Sequence, residues 1–136
     1  MKTTLAFVSL LLAIALLAGA CGGDTGVLTV YSGRSEDLVG PVIDRFTEET
    51  GIEVEVRYGD SAELATTITV EGPETPADVF FAQDPASLGL VAEEGLFQPL
   101  PDDLTASVPE RFRDDADRWV GTSGRVRVVI VNPELV

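Results

Sequence analysis

Histidine is absent from the 136 residues, while cysteine, lysine, methionine and tryptophan each occur once. Without imidazole the chain lacks the commonest general base and transition-metal ligand at neutral pH. The single cysteine, Cys21, rules out an internal disulfide framework. No nucleophile elbow or phosphate-cradling glycine loop occurs, and the only lysine is Lys2. The sequence therefore argues against an enzyme. Basic charge is also scarce: after Cys21, eight arginines stand against 23 Asp and Glu, a net of −15. Such a surface repels phosphate backbones and anionic lipid, which disfavours nucleic-acid partners. The acidity itself reads as a solvated, self-repelling exterior.

What is present begins with an export signal. Lys2 precedes an apolar run from Leu5 to Leu17 that ends in Ala18-Gly19-Ala20 before Cys21. A charged start, a short apolar stretch and a small-residue site make a secretory signal over residues 1–20, too short for a spanning helix. A cysteine directly after the small residues resembles the lipobox of bacterial lipoproteins, although Ala18 stands where that pattern prefers leucine. The resemblance implies diacylation of Cys21 and anchorage to the outer face of the cell membrane. Plain secretion with an incidental free thiol is the other reading.

About 115 residues follow the signal, enough for one small domain. After a short tether over residues 21–26, strand and helix patterns alternate. Val27–Tyr31 is a β-rich apolar run suited to a strand covered on both faces. A helix is predicted from Glu36 to Thr50, with Val39, Val42, Ile43 and Phe46 on one face, Ser35 as its cap and Gly51 as its stop. Pro41 is awkward there beyond the first turn. Ile52–Tyr58 alternates strictly, as a strand with one wet face does, and Asp60-Ser61-Ala62-Glu63 opens a second helix that fades at Gly72-Pro73. Ala77–Ala82 reads as a third, buried strand and Pro85–Glu94 as a third helix. Short helical turns are expected between Asp102 and Asp117, with Pro109 at a helix start, and a last strand over Arg125–Val131. A β-α-β-α-β-α order implies a parallel sheet with right-handed crossovers.

Parallel open sheets bind ligands beyond the C-terminal ends of their strands. Those ends are Tyr31–Ser35, Tyr58–Ser61 and Ala82–Asp84. Each is a small polar loop opening a helix, where free N–H groups point at a common crevice. Simple capping explains any one loop equally well; convergence of all three favours a binding crevice. The candidate ligand-binding residues are Ser32, Gly33, Arg34, Ser35, Asp60 and Gln83, with Arg34 either countering an anion in the crevice or standing as an ordinary surface arginine. Tyr31 and Tyr58 are the only tyrosines, and both end strands, a position that favours packing or the rim over ligation. Asp78 and Arg125 are candidates for an ion pair, with a plain capping or solvated role for each as the other reading.

The strings Leu28-Thr29-Val30-Tyr31-Ser32-Gly33-Arg34, Phe46–Ile52, Pro76–Phe81, Gly95–Leu100 and Ser123–Val129 resemble iron(III) ABC transporter substrate-binding proteins. The resemblance runs through nearly the whole exported part in order and spacing. It implies an α/β lobe of a two-lobed periplasmic-binding-protein-like fold, spanning residues 27–124, with residues 125–136 starting the crossing strand toward a second lobe. It also implies ferric ion as transported ligand, with a synergistic anion, and a membrane ABC permease as partner, with no cofactor. By position Ser35 and Gln83 fall where many members carry histidine and glutamate ligands. Both are neutral here, and Fe(III) favours anionic oxygen, so this lobe alone offers a poor ferric site. The runner-up ligands within the fold are an oxyanion, a polyamine or a phosphonate, and a truncated remnant without ligand is the last alternative.

Overall fold

The computed structural model describes residues 26–126 and 128–134. The export signal, Cys21 and most of the tether lie outside the described residues. Three strands form a parallel sheet in the order β2-β1-β3: β1 is Leu28–Ser32, β2 Val54–Tyr58 and β3 Val79–Phe81. Helix α1 (Glu36–Thr50) joins β1 to β2, α2 (Ser61–Glu71) leads toward β3, and α3 (Pro85–Glu93) follows it. A short α4 (Asp102–Thr105) and a 3-10 turn at Glu110–Phe112 complete the elements, the turn beginning just after Pro109 as expected.

The central strand carries the core. Tyr31 is buried with Leu64, Ala65 and Ile68 of α2 and Val91 of α3, and Phe80, Leu96 and Phe97 pack against that cluster. The Tyr31 hydroxyl leaves the apolar cluster to donate to Glu71 and accepts from Arg57, whose guanidinium lies 5.0 Å from the ring centre. A buried phenol keeps its polar end satisfied in this way. Tyr31 is therefore a packing residue.

Helix α1 spans the residues predicted, but its apolar face is only partly covered. Val39 is buried and Ile43 half-buried, whereas Val42 is 64% and Phe46 36% exposed. Periodicity places four residues on one side, but this α1 lies against β2 and the small sheet covers only the stripe nearest it. Ser35 has the extended backbone of an N-cap, yet its side chain makes no cap bond; its carbonyl accepts from Leu38 and Val39 instead. Pro41 sits inside the helix, which continues through it without the N–H that would bond to the carbonyl four residues back.

Two strands are shorter than predicted. Ile52 and Glu53 precede β2, and β3 keeps three residues of the expected six. β3 is also less buried than its apolar sequence suggests, with Val79 43% exposed, because it forms an edge of the described sheet. The segment expected to be a strand from Arg125 joins no ladder among the described residues. Val126, Val128, Val129 and Ile130 are 72–91% exposed there.

Candidate functional site

Strand register brings the candidate loops together. Ser32 is paired with Tyr58 on one side and with Phe81 on the other, so the chain leaves all three strands at one level. Gly33 donates to the Phe81 carbonyl at 2.8 Å, and Gly59 donates to the Ser32 carbonyl at 3.1 Å. These bonds extend the ladders into the loops and fix the crevice floor. Ser32 is fully buried; its hydroxyl donates to the Arg34 carbonyl and accepts from the Arg34 N–H, folding the first loop back on itself.

Asp60 and Asp84 cap the helices that follow. The Asp60 carboxylate accepts from Ala62 N–H at 2.9 Å, and Asp84 accepts from both the N–H and the hydroxyl of Ser87. Carboxylates at these N-termini also meet the positive end of each helix dipole. Gln83 bonds at both ends of its amide, donating to the Gly33 carbonyl and accepting from Arg125 at 3.3 Å. Arg34 donates to Ser123 at 3.2 Å, and its Nε is buried without a partner. Ser35 is exposed at the head of α1. Thus Gly33, Gln83 and the Asp60 loop meet in one cluster, while Ser35 and Arg34 flank it.

Ser61 is the residue that sequence reasoning passed over. It is 4% exposed, and its hydroxyl accepts from the Gln83 N–H at 3.0 Å. A Cβ on Gly33 would lie 2.1 Å from the Ser61 oxygen, so glycine is required by close approach and not by backbone angle. Ser61 thereby joins all three loops. A polar cavity of about 340 Å³ opens here, lined by Asp60, Ser61, Gln83, Asp84 and Arg125. A larger groove of about 810 Å³ runs from Arg34 and Gln83 along β3 to Trp119.

The candidate pair between Asp78 and Arg125 does not form. Asp78 accepts from the Thr29 N–H at 2.8 Å, pinning the start of β3 to β1, while Arg125 reaches the crevice. Tyr58 stands at the rim, 36% exposed. Partial burial, with the Glu36 and Asp44 carboxylates nearby, pushes its pKa up and disfavours a phenolate. Beyond the crevice, Arg118 makes a paired contact with Asp114 and donates to the Ala92 carbonyl at 2.8 Å, which ties the acidic stretch to α3. No cluster of three or more His, Cys, Asp or Glu suited to a metal occurs among the described residues.

Comparison with known proteins decides the family. The bacterial extracellular solute-binding protein family matches residues 32–136. The chain belongs to that family. It is 36% identical over 120 residues to the Fe(3+)-binding periplasmic protein of Serratia marcescens, covering 88% of this chain and 35% of that one. The major ferric iron-binding protein of Neisseria gonorrhoeae is 36% identical over 124 residues, covering 85% of this chain and 37% of its own length. Among solved structures, iron-bound HitA from Pseudomonas aeruginosa matches with a TM-score of 0.68 and 32% identity over 70% of this chain and 31% of that one. A Trichodesmium protein (IdiA, FutA) in complex with iron and citrate gives 0.65 at 32% identity, over 71% of this chain and 31% of its own. The chain thus spans about a third of the length of the relatives it matches, and its parallel-sheet α/β lobe is the fold the sequence predicts.

Proposed function

We propose that this protein captures ferric iron outside the cytoplasm, as the binding component of an ABC importer, and that the described lobe supplies one wall of the iron site. The supporting observation is the convergence of three strand-end loops on Gly33, within a chain 36% identical over most of its length to proteins named for ferric iron. On this reading the roles divide by availability. Ser32, Gly33 and Gln83 shape the wall, since their polar groups are bonded within it. Ser35, exposed and without a cap bond, offers a free oxygen, and Arg34 with Arg125 supplies positive charge for an anion that accompanies the metal. Asp60 lines the polar cavity.

Neutral oxygens hold a hard trivalent cation weakly, so this lobe is a low-affinity half-site, completed by anionic donors from elsewhere in the full-length protein. The partner is a membrane permease, and a lipid on Cys21 keeps the protein near it. Calorimetric titration with ferric citrate tests the reading against its rivals. The expected result is weak, saturable heat with ferric citrate and none with spermidine, phosphate or methylphosphonate alone. Saturable binding of one of those three without iron would overturn it.

A further inference from the structure

The side chain at position 83 meets two opposite demands. The Gln83 amide nitrogen donates to the Gly33 carbonyl, and the amide oxygen accepts from the Arg125 guanidinium at 3.3 Å. A carbonyl only accepts and a guanidinium only donates, so the amide has one orientation that satisfies both. The backbone beneath it is fixed as well: the Gln83 N–H donates to the hydroxyl of Ser61, itself 4% exposed. Gln83 is thus held by the loops after β1 and β2, and in turn it holds Arg125.

A carboxylate cannot do the same. Ionised, it accepts at both oxygens, so one of them would face the Gly33 carbonyl with no proton between them. The other would pair with Arg125 and neutralise it. The neutral amide fixes the guanidinium and leaves its charge intact at the polar cavity that Asp60, Ser61, Asp84 and Arg125 line. The two aspartates of that cavity are turned to their own helices, Asp60 to the Ala62 N–H and Asp84 to Ser87.

We propose that Gln83 is a positioning residue for iron capture that acts through Arg125, setting a charged guanidinium at the crevice so that the site favours iron carried by a strongly anionic chelator. This rests on the iron-capture reading and assigns one residue the choice between ferric complexes. Gln83 gives no oxygen to the metal, because that oxygen is already bonded to Arg125.

The sign of one substitution separates positioning from metal ligation. Were Gln83 a donor to iron, Gln83→Glu would supply the anionic oxygen that Fe(III) favours and would tighten every ferric complex. Acting through Arg125, it neutralises the guanidinium and weakens the strongly anionic complex selectively. The test is calorimetric titration of the purified protein with ferric citrate in excess citrate and with the less negatively charged ferric nitrilotriacetate. The parent should bind the citrate complex about tenfold more tightly, the size of one charge-assisted hydrogen bond. Gln83→Glu and Arg125→Met should each bring the two complexes to near equality, and the double variant should go no further. Arg125 is exposed and outside every helix and strand among the described residues, so Arg125→Met keeps the test valid if a charge at position 83 disturbs folding. Tighter binding of both complexes by Gln83→Glu, additive losses in the double variant, or a preference that neither substitution changes overturns the proposal. A parent that binds both complexes equally overturns it too and leaves the iron reading standing, whereas one that binds neither overturns both.

Discussion

Gly33→Ala tests the contact on which the crevice depends. The added methyl would lie 2.1 Å from the Ser61 oxygen, 3.1 Å from its Cβ and 3.2 Å from its Cα. Rotating the hydroxyl away relieves the first contact only, and it gives up the bond from the Gln83 N–H. Relief of the other two requires the head of α2 to move. Overpacking of this kind costs about 1–3 kcal/mol, and loss of the Gln83 bond adds roughly 1 kcal/mol. Together the substitution should lower stability by about 2–4 kcal/mol, read as a fall in the urea midpoint at unchanged slope. The partner change Ser61→Gly removes the hydroxyl and the Cβ, so in the double variant only the 3.2 Å contact with the Cα remains and part of the stability returns. Additive losses in that cycle, or a Gly33→Ala protein within about 0.5 kcal/mol of the parent, would show that the two residues are not packed as described.

Other substitutions probe separate parts of the fold. Pro41→Ala restores an intrahelical donor at an exposed position of α1 and should raise stability by about 1–3 kcal/mol in urea unfolding. Asp114→Asn breaks the paired contact with Arg118 and should cost about 1–2 kcal/mol, with faster amide exchange from Asp114 to Val120. That pair also has a pH signature. The Arg118 hydrogen bonds hold the Asp114 carboxyl below its ordinary value, so its contribution is present above that value and is lost as pH falls through the depressed one. Acid unfolding of Asp114→Asn should therefore show a weaker pH dependence below about pH 4 than the parent does. Mass spectrometry of the membrane fraction should find a diacylglyceryl group on a peptide that begins at Cys21; an unmodified secreted chain starting elsewhere would exclude the anchor.

Local chemistry made much of this fold readable. Gly51 takes the left-handed backbone that ends α1, with a φ of 72°, and Asp60 caps α2 where the Asp-Ser-Ala-Glu string places a cap. Pattern failed where burial depends on what else is nearby. Phe80 and Phe81 read as a fully covered strand, yet the sheet extends no further on that side among the described residues. Spacing puts Val42 and Phe46 on the same helix face as Val39, but it cannot reveal how wide the surface opposite that face will be. In the site, small polar loops marked the three strand ends, because such residues suit helix starts. The Gly33–Ser61 contact was not legible, since residues 28 positions apart meet only through the parallel register of β1 and β2. The sequence marks Arg125 but not its partner: Asp78 accepts from the Thr29 amide, and Arg125 bonds to Gln83 instead.

Paramagnetic mapping puts the central claim to the most direct test. Ferric nitrilotriacetate added to isotopically labelled protein broadens amide signals near wherever the metal sits, even when binding is weak. The account predicts selective loss at Ser32–Ser35, Gly59–Ser61 and Gln83–Asp84, reduced by Ser35→Ala, with the acidic stretch from Asp102 to Asp117 unaffected. Broadening centred on that stretch, or uniform broadening over the acidic surface, would contradict a metal-binding wall at the strand ends.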